Sequence, residues 1–324
     1  MNRNVLRARY FAGAALAVGL ALAGCGGNNT PAGGGDTQAA PLSGAVAIDG
    51  SSTVEPLTSA AADLFKETQA GVNVTVGTSG TGGGFEKFCK GETDISDASR
   101  KINDKEKTAC ETGNVKWTEL QVANDALTVA VHKDNTWAKC LTVAQLKKIW
   151  EPAAQGKITN WNQVDPSFPN EPLKLFSPGT DSGTFDYFTA AINGKEGDSR
   201  QDATFSENDN VLVQGVSSTK GGLGYFGFSY FEENQSNLKA VEVDSGAGCV
   251  APSLDSAQSG NYKPLARPLF IYVKQASMTK PQVKGFVEFY VTKIDEIVKE
   301  AAFVPLNATQ KSALTAAWET LKSS

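Results

Sequence analysis

Gly77-Thr78-Ser79-Gly80-Thr81-Gly82-Gly83-Gly84 is the stretch on which the reading of this 324-residue chain turns. A β-branched run, Val72 to Val76, leads into it and reads as a strand. Phe85, Phe88 and Cys89 follow at the spacing that opens a helix. In a strand–turn–helix, glycine lets backbone N–H groups crowd a ligand, Ser and Thr add short neutral donors, and the helix start is partially positive. That combination grips a small oxyanion. No Gly-Lys-Ser/Thr follows, so the lysine and magnesium hydroxyl of a nucleotide P-loop are missing. Two more runs share the composition. Gly50-Ser51-Ser52-Thr53 lies between a strand at Ala45 to Ile48 and a helix at Pro56 to Thr68. Gly179-Thr180-Asp181-Ser182-Gly183-Thr184 lies between a strand at Leu173 to Phe176 and a helix at Phe185 to Ile192. Loops so far apart in the chain imply an anion surrounded on several sides.

The rest of the chain continues the alternation. Strands are expected at Thr93 to Ser96, Leu127 to His132, Gly221 to Tyr230 and Pro268 to Val273. Helices are expected at Leu141 to Trp150, Lys280 to Ala301 and Ala308 to Leu321. The class is therefore α/β with largely parallel sheets, whose ligands sit beyond the carboxyl ends of the strands. Two long strands, at Ala126 to His132 and Leu269 to Val273, suit crossovers between lobes. This predicts a discontinuous lobe 1, residues 45–125 plus 266–324, and a lobe 2 of residues 126–265, with the ligand cleft between them.

The amino-terminal segment reads as an address. Arg3, Arg7 and Arg9 precede an apolar run, Phe11 to Ala23, too short to span a bilayer. Leu22-Ala23-Gly24-Cys25 resembles a bacterial lipobox, so residues 1–24 are expected to be a lipoprotein signal peptide and Cys25 the lipidated residue. Residues 25–44, rich in Gly, Asn, Thr, Pro and Ala, read as a flexible linker. The expected place is the cell envelope, lipid-anchored on its extracytoplasmic face. With 30 Lys+Arg against 35 Asp+Glu and no basic tract, the chain is a poor nucleic-acid binder. Aimed local donors still hold an anion, because they outweigh a screened and distant net charge.

Four cysteines remain, Cys89, Cys110, Cys140 and Cys249, and an even number behind an export signal implies two disulfides. Cys89 and Cys110 share one local stretch and are paired on that ground, leaving Cys140 with Cys249. Free thiols or zinc are the alternatives. No C-x-x-C occurs and His132 is the only histidine, so no metal site is expected. Ser182 lacks the G-x-S-x-G elbow, and His132 sits on a strand expected to be buried, so no catalytic residue is assigned. Arg100 ends Asp97-Ala98-Ser99-Arg100 where a strand meets the expected cleft, and its guanidinium suits two oxyanion oxygens at once. The rival role for it is a surface pair with Asp97 or Glu106. Asp181 is expected either to orient Arg100 or to accept a ligand proton.

Asp49-Gly50-Ser51-Ser52-Thr53-Val54-Glu55-Pro56, Gly80-Thr81-Gly82-Gly83-Gly84, Thr93 to Arg100 and Gly179 to Thr184, in that order, resemble the periplasmic phosphate-binding proteins of the high-affinity phosphate ABC transporter. The similarity runs from Ile48 to Leu321. It implies a two-lobed type II binding-protein fold that closes over phosphate and hands it to a membrane permease with a cytoplasmic ATPase. It implies no cofactor and no enzyme activity, and a monomer is expected. Carried over by position, Ser52 donates its hydroxyl, Thr53 its backbone N–H, and Thr81 with Gly82 the second-loop donors. Ser182, Gly183 and Thr184 supply donors from the other lobe. Two positions depart from the best-known branch. Ser99 stands where that branch has a proton-accepting Asp, and Pro178 where it has an Arg. The Ser99-Arg100 pair implies that Arg100 supplies the charge, with Asp181 or Asp97 as proton acceptor. The alternatives are a receptor for sulfate, molybdate or arsenate, a phosphate sensor, and, further off, a hydrolase.

Overall fold

In the computed structural model, which describes residues 41–323, the chain opens with three strands separated by two helices. These are β1 (Gly44–Gly50), α1 (Glu55–Thr68), β2 (Val72–Gly77), α2 (Gly80–Cys89) and β3 (Ile95–Ala98). β1 pairs in parallel with β2 on one side and β3 on the other. A helix must return the chain between parallel neighbours, and α1 does so by burying Leu57, Ala61 and Phe65. After α3 (Asp104–Thr112) come β4 (Trp117–His132), β5 (Cys140–Thr142), α4 (Val143–Trp150), α5 (Trp161–Val164) and β6 (Lys174–Pro178). Then follow α6 (Gly183–Phe188), β7 (Thr204–Ser206), β8 (Gly222–Gly227), β9 (Leu238–Ala240), β10 (Glu242–Asp244), β11 (Cys249–Val250) and β12 (Ala266–Lys274).

The main sheet runs β2-β1-β3-β12-β4-β8-β6-β7, with β9 on the far half of β4, and β11-β10-β5 form a small second sheet. β4 is the spine. Its residues Trp117 to Ala126 pair with β12, and Leu127 to His132 pair with β8 and β9. Two cores meet along it. One gathers Leu57, Phe65, Leu120, Ile271, Phe286 and Trp318. The other gathers Leu127 from the far half of β4 with Trp150, Trp161, Phe188, Tyr225 and Tyr262, which lie between β4 and β12 in the chain. Each is large enough to hold one lobe by burying apolar area.

The α/β class is as expected, but the sheet is mixed. β12 is antiparallel to both β3 and β4, and β4 is antiparallel to β8. The chain passes outward along β4 and returns along β12, so these two must oppose. Within the main sheet, parallel pairing is confined to β2-β1-β3 and β8-β6-β7. Several boundaries also differ, among them the expected Gly221 to Tyr230 strand, which ends at Gly227 and passes into a helix at Phe228–Glu233. β4 starts ten residues before the expected Leu127. The expected Lys280 to Ala301 helix is two, Pro281–Thr292 and Ile294–Glu300. The helix after the third loop turns π over Thr189–Asn193, where the Thr189 hydroxyl donates to the carbonyls of Phe185 (2.8 Å) and Asp186 (3.1 Å). A hydroxyl inserted into the helical ladder widens it.

Both disulfides form as paired. Cys89–Cys110 ties α2 to α3, and Cys140–Cys249 ties β5 to β11. The expected signal peptide and Cys25 lie outside the described residues, as does most of the expected linker. Its end is folded: the Leu42 N–H donates to Gln69 Oε1 (2.9 Å) and β1 begins at Gly44. Among the described residues no helix is long and apolar enough to cross a membrane.

Candidate functional site

The carboxyl ends of β1, β2 and β3 open into one cavity of about 460 Å³. Ser51, Ser52 and Thr53 reach it from the first loop, Ser79, Gly80, Thr81 and Gly82 from the second, and Ser99 and Arg100 from the end of β3. The opposite wall holds Asp186, Tyr187, Ala190 and Glu196, and Arg267 enters from the start of β12. Backbone and side-chain bonds fix the loops. The Ser51 N–H donates to the Asp97 carbonyl (2.9 Å), and the Thr53 N–H to Ser51 Oγ (3.2 Å). Asp49 accepts from the Ser79 N–H (3.2 Å) and hydroxyl, and pairs with Lys87 at 2.6 Å. Burial pushes the Asp49 carboxyl up, but Lys87 and Ser79 outweigh it and hold the group below its ordinary range. Thr81 Oγ1 accepts from the Ser99 N–H (3.2 Å) and lies 3.1 Å from the Ser99 hydroxyl.

Neither α1 nor α2 carries a side-chain cap at its N-terminus. Gly80, Thr81 and Gly82, the first turn of α2, line the cavity, and no side chain caps that end of the helix. By contrast α3, beside them, closes its own start with an Asn103–Glu106 capping box. The second loop packs against the first through glycine: a Cβ at Gly84 would stand 2.5 Å from the Gly50 Cα. The third loop packs against the first in the same manner, since a Cβ at Gly183 would stand 3.1 Å from the Thr53 Cα, but Ser182, Gly183 and Thr184, expected as ligand donors, are outside the cavity lining. Behind it, Phe188 of α6 stacks on Tyr225 of β8 with ring centroids 3.7 Å apart, which anchors the helix that follows.

The charges differ from expectation in three respects. Arg100 lines the cavity, but its guanidinium is forked onto Glu106 at 2.7 and 2.8 Å, the surface pairing weighed against the ligand role. Glu106 raises the Arg100 pKa. Burial works against Glu106, yet Arg100 holds its carboxyl low. Second, Arg100, expected to supply the charge, shares the cavity with another arginine, Arg267. Arg267 donates from Nη2 to Thr53 Oγ1 (2.8 Å) and from Nε to Asp125 (3.2 Å), and its guanidinium lies 3.5 Å from the Tyr187 ring centroid. No sequence motif marks Arg267; its only signal is its place just before an expected crossover strand.

Third, the carboxylates expected to take a ligand proton are elsewhere. Asp181 is exposed and outside the cavity lining, with its N–H on Glu207 Oε1 (3.3 Å). Arg100 is oriented by Glu106 and not by Asp181. Asp97 is wholly buried beneath the first loop, and burial pushes its carboxyl up to about 8. The acids that do line the cavity are Asp186 and Glu196. Burial, then the neighbouring Glu196, raises Asp186 to about 6. Ser182 caps α6 by accepting from the Thr184 N–H (3.2 Å), and Thr184 faces an adjoining cavity with Pro56 and Asp125. His132 ends β4, as the structural reading requires.

Comparison with known proteins bears on this arrangement. Residues 35–293 match the PBP superfamily domain. The chain is 51% identical over 271 residues to Protein SphX of Synechococcus elongatus, covering 83% of this chain and 80% of that protein. It is 37% identical to the phosphate-binding protein PstS of Staphylococcus saprophyticus, over 92% and 90% of the two chains. A solved structure described as a possible phosphate-binding protein from Planctomyces limnophilus superposes with a TM-score of 0.83. That likeness is at 45% identity, over 86% of this chain and 99% of the other. A substrate-binding protein of a putative phosphate ABC transporter from Clostridium perfringens, solved with bound phosphate, is 26% identical with a TM-score of 0.55. It covers 82% of this chain, and all of that chain is matched.

Proposed function

We propose, since this chain belongs to the PBP superfamily and to the family of SphX and PstS, that it captures inorganic phosphate and delivers it to an ABC importer. The observation that carries this reading is the convergence of Ser51 to Thr53, Ser79 to Gly82 and Ser99 with Arg100 on one hollow. Neutral hydroxyl and amide donors in a fixed array bind an oxyanion without reorganising, and the uncapped start of α2 adds favourable potential. Ser52, Thr53, Thr81, Gly82, Ser99 and Arg100 are the lobe 1 contacts, and Ser182, Gly183 and Thr184 are brought in from lobe 2 on closure. Lobe 1 comprises residues 45–125 with 266–324, lobe 2 residues 126–265, and the hinge is where β4 and β12 pass between them. The protein performs no covalent chemistry. Its differential affinity for phosphate in the closed form drives closure, and the closed form is what the permease reads.

Cys25 is the lipid attachment point, placing a monomeric receptor on the extracytoplasmic face of the membrane. Titration calorimetry with phosphate and sulfate tests the reading. Phosphate should bind at least about 100-fold more tightly, a difference of about 3 kcal/mol. Equal affinities, or none for phosphate, would overturn it. Mutating Cys25 to alanine should release the protein from membranes into the soluble fraction.

A further inference from the structure

We infer that Arg267 is the principal cation that meets the bound anion, and that its stack on Tyr187 carries that contact from one lobe to the other. This rests on the phosphate reading above. Three observations lead to it. Arg267 lines the same cavity as Ser52, Thr53 and Thr81, and its Nη2 already holds the Thr53 hydroxyl at 2.8 Å. It sits beside Ala266, which pairs with Ala126 where β4 changes partners from β12 to β8. Its guanidinium lies against Tyr187, whose hydroxyl donates to the Pro264 carbonyl (2.7 Å) and so fixes the ring.

These contacts belong to both lobes. Thr53 precedes α1 in one, and Tyr187 lies on α6, behind Ser182, Gly183 and Thr184, in the other. A guanidinium is planar, with donors along its edges and an apolar face. Edge contacts to Thr53 and Asp125 therefore leave the face free to stack on the ring. Arg100 is a poorer candidate for the principal cation, because Glu106 already takes its fork at the rim. Asp125 is buried and its carboxyl is raised by burial, against which Arg267 pulls it down. The pair keeps the cation in place between ligands. An anion seated beside Thr53 draws on the same fork, and the ring drawn against the guanidinium brings α6 and its preceding loop over the ligand.

Removing Arg267 alone strands a buried carboxylate, so Asp125→Asn is the proper background. Calorimetry with inorganic phosphate, and small-angle scattering with and without it, test the inference on the unaltered protein, Asp125→Asn, Arg267→Met/Asp125→Asn, Arg267→Lys and Tyr187→Leu. Relative to Asp125→Asn, the double variant should bind phosphate about 10- to 100-fold more weakly, the worth of one charged hydrogen-bonding partner. Arg267→Lys should fall between, keeping charge without the fork. Tyr187→Leu should retain part of the affinity but lose the phosphate-induced compaction. Affinity of the double variant within twofold of its background would make Arg267 merely structural and overturn the inference. Should the double variant not fold, unchanged affinity in Arg267→Lys overturns it equally. If the unaltered protein binds no phosphate, the functional reading fails first and this one with it.

Discussion

The two walls of the cavity are built on opposite electrostatic plans. The lobe 1 wall offers hydroxyls, backbone N–H groups and two arginines. The lobe 2 wall offers two carboxylates, Asp186 and Glu196, beside an aromatic ring. An anion is attracted by the first and repelled by the second. On the proposed function the contrast divides the labour: lobe 1 would supply affinity, and lobe 2 would set the terms on which closure is allowed. A carboxylate at such a wall tolerates a ligand oxygen that carries a proton and rejects one that does not, because an unmatched buried acceptor costs about 1–3 kcal/mol. The repulsive element is as much a part of selectivity as the donors.

Breaking the lobe 1 wall should have the largest effect. Gly84→Val drives a side chain into Gly50 and the Asp49 carbonyl, pushing α2 off the first loop. We expect phosphate binding weakened by at least about 100-fold, with loss of about 2–3 kcal/mol of stability from overpacking. Calorimetry and thermal melts measure the two effects. Binding near the unaltered value would show that the second loop is not part of the wall.

A smaller break comes at the rim. Arg100→Ala should weaken phosphate by about tenfold with the fold intact, because Glu106 already offsets part of its charge. Glu106→Gln should do the reverse, tightening binding about two- to fivefold by releasing the fork, an effect expected of a half-exposed ion pair. If both variants bind as the unaltered protein does, Arg100 belongs to the surface.

The acidic wall yields to pH. Asp186 is ionised above about 6 and protonated below it, so its repulsion of an anion is present at high pH and lost as pH falls through 6. Sulfate keeps its charge over this range and reports the protein alone. Its weak binding should strengthen severalfold from pH 7.5 to 5 in the unaltered protein and change little in Asp186→Asn. A flat profile in both would remove Asp186 from the wall. The same shift bears on stability: a carboxyl with a raised pKa binds protons in the folded state first, so its contribution declines as pH rises from about 4 to 6. Asp186→Asn should therefore flatten a small fall in melting temperature over that window.

How legible these walls are in the sequence differs as sharply as their charge. Apart from Arg267, the lobe 1 wall is built from runs of adjacent residues, in which each loop joins the end of its own strand to the start of its own helix. Glycine spacing and helix periodicity therefore reveal it from the order of residues alone. Tyr187 and Asp186 look like ordinary helix residues after Gly183, and Arg267 looks like the lead-in to a strand. Their meaning depends on what they face. Asp181 shows the converse. It sits in the middle of a recognised motif, yet its turn points it to solvent and leaves its N–H on Glu207.

Composition and local pattern alone determined that this chain is α/β, that hydroxyl- and glycine-rich turns follow its strands, and that Cys89 and Cys110 lie close enough in sequence to pair. These are short-range consequences of backbone freedom, side-chain periodicity and spacing. Only the tertiary structure decided that β4 and β12 run opposite ways through both cores, that Glu106 occupies Arg100, and that Arg267 joins Thr53 to Tyr187. The partners of Arg267 lie 80 and 214 positions away along the chain, a distance over which periodicity carries no signal, and Arg100 and Glu106, only six apart, meet because α3 turns Glu106 back to its own start.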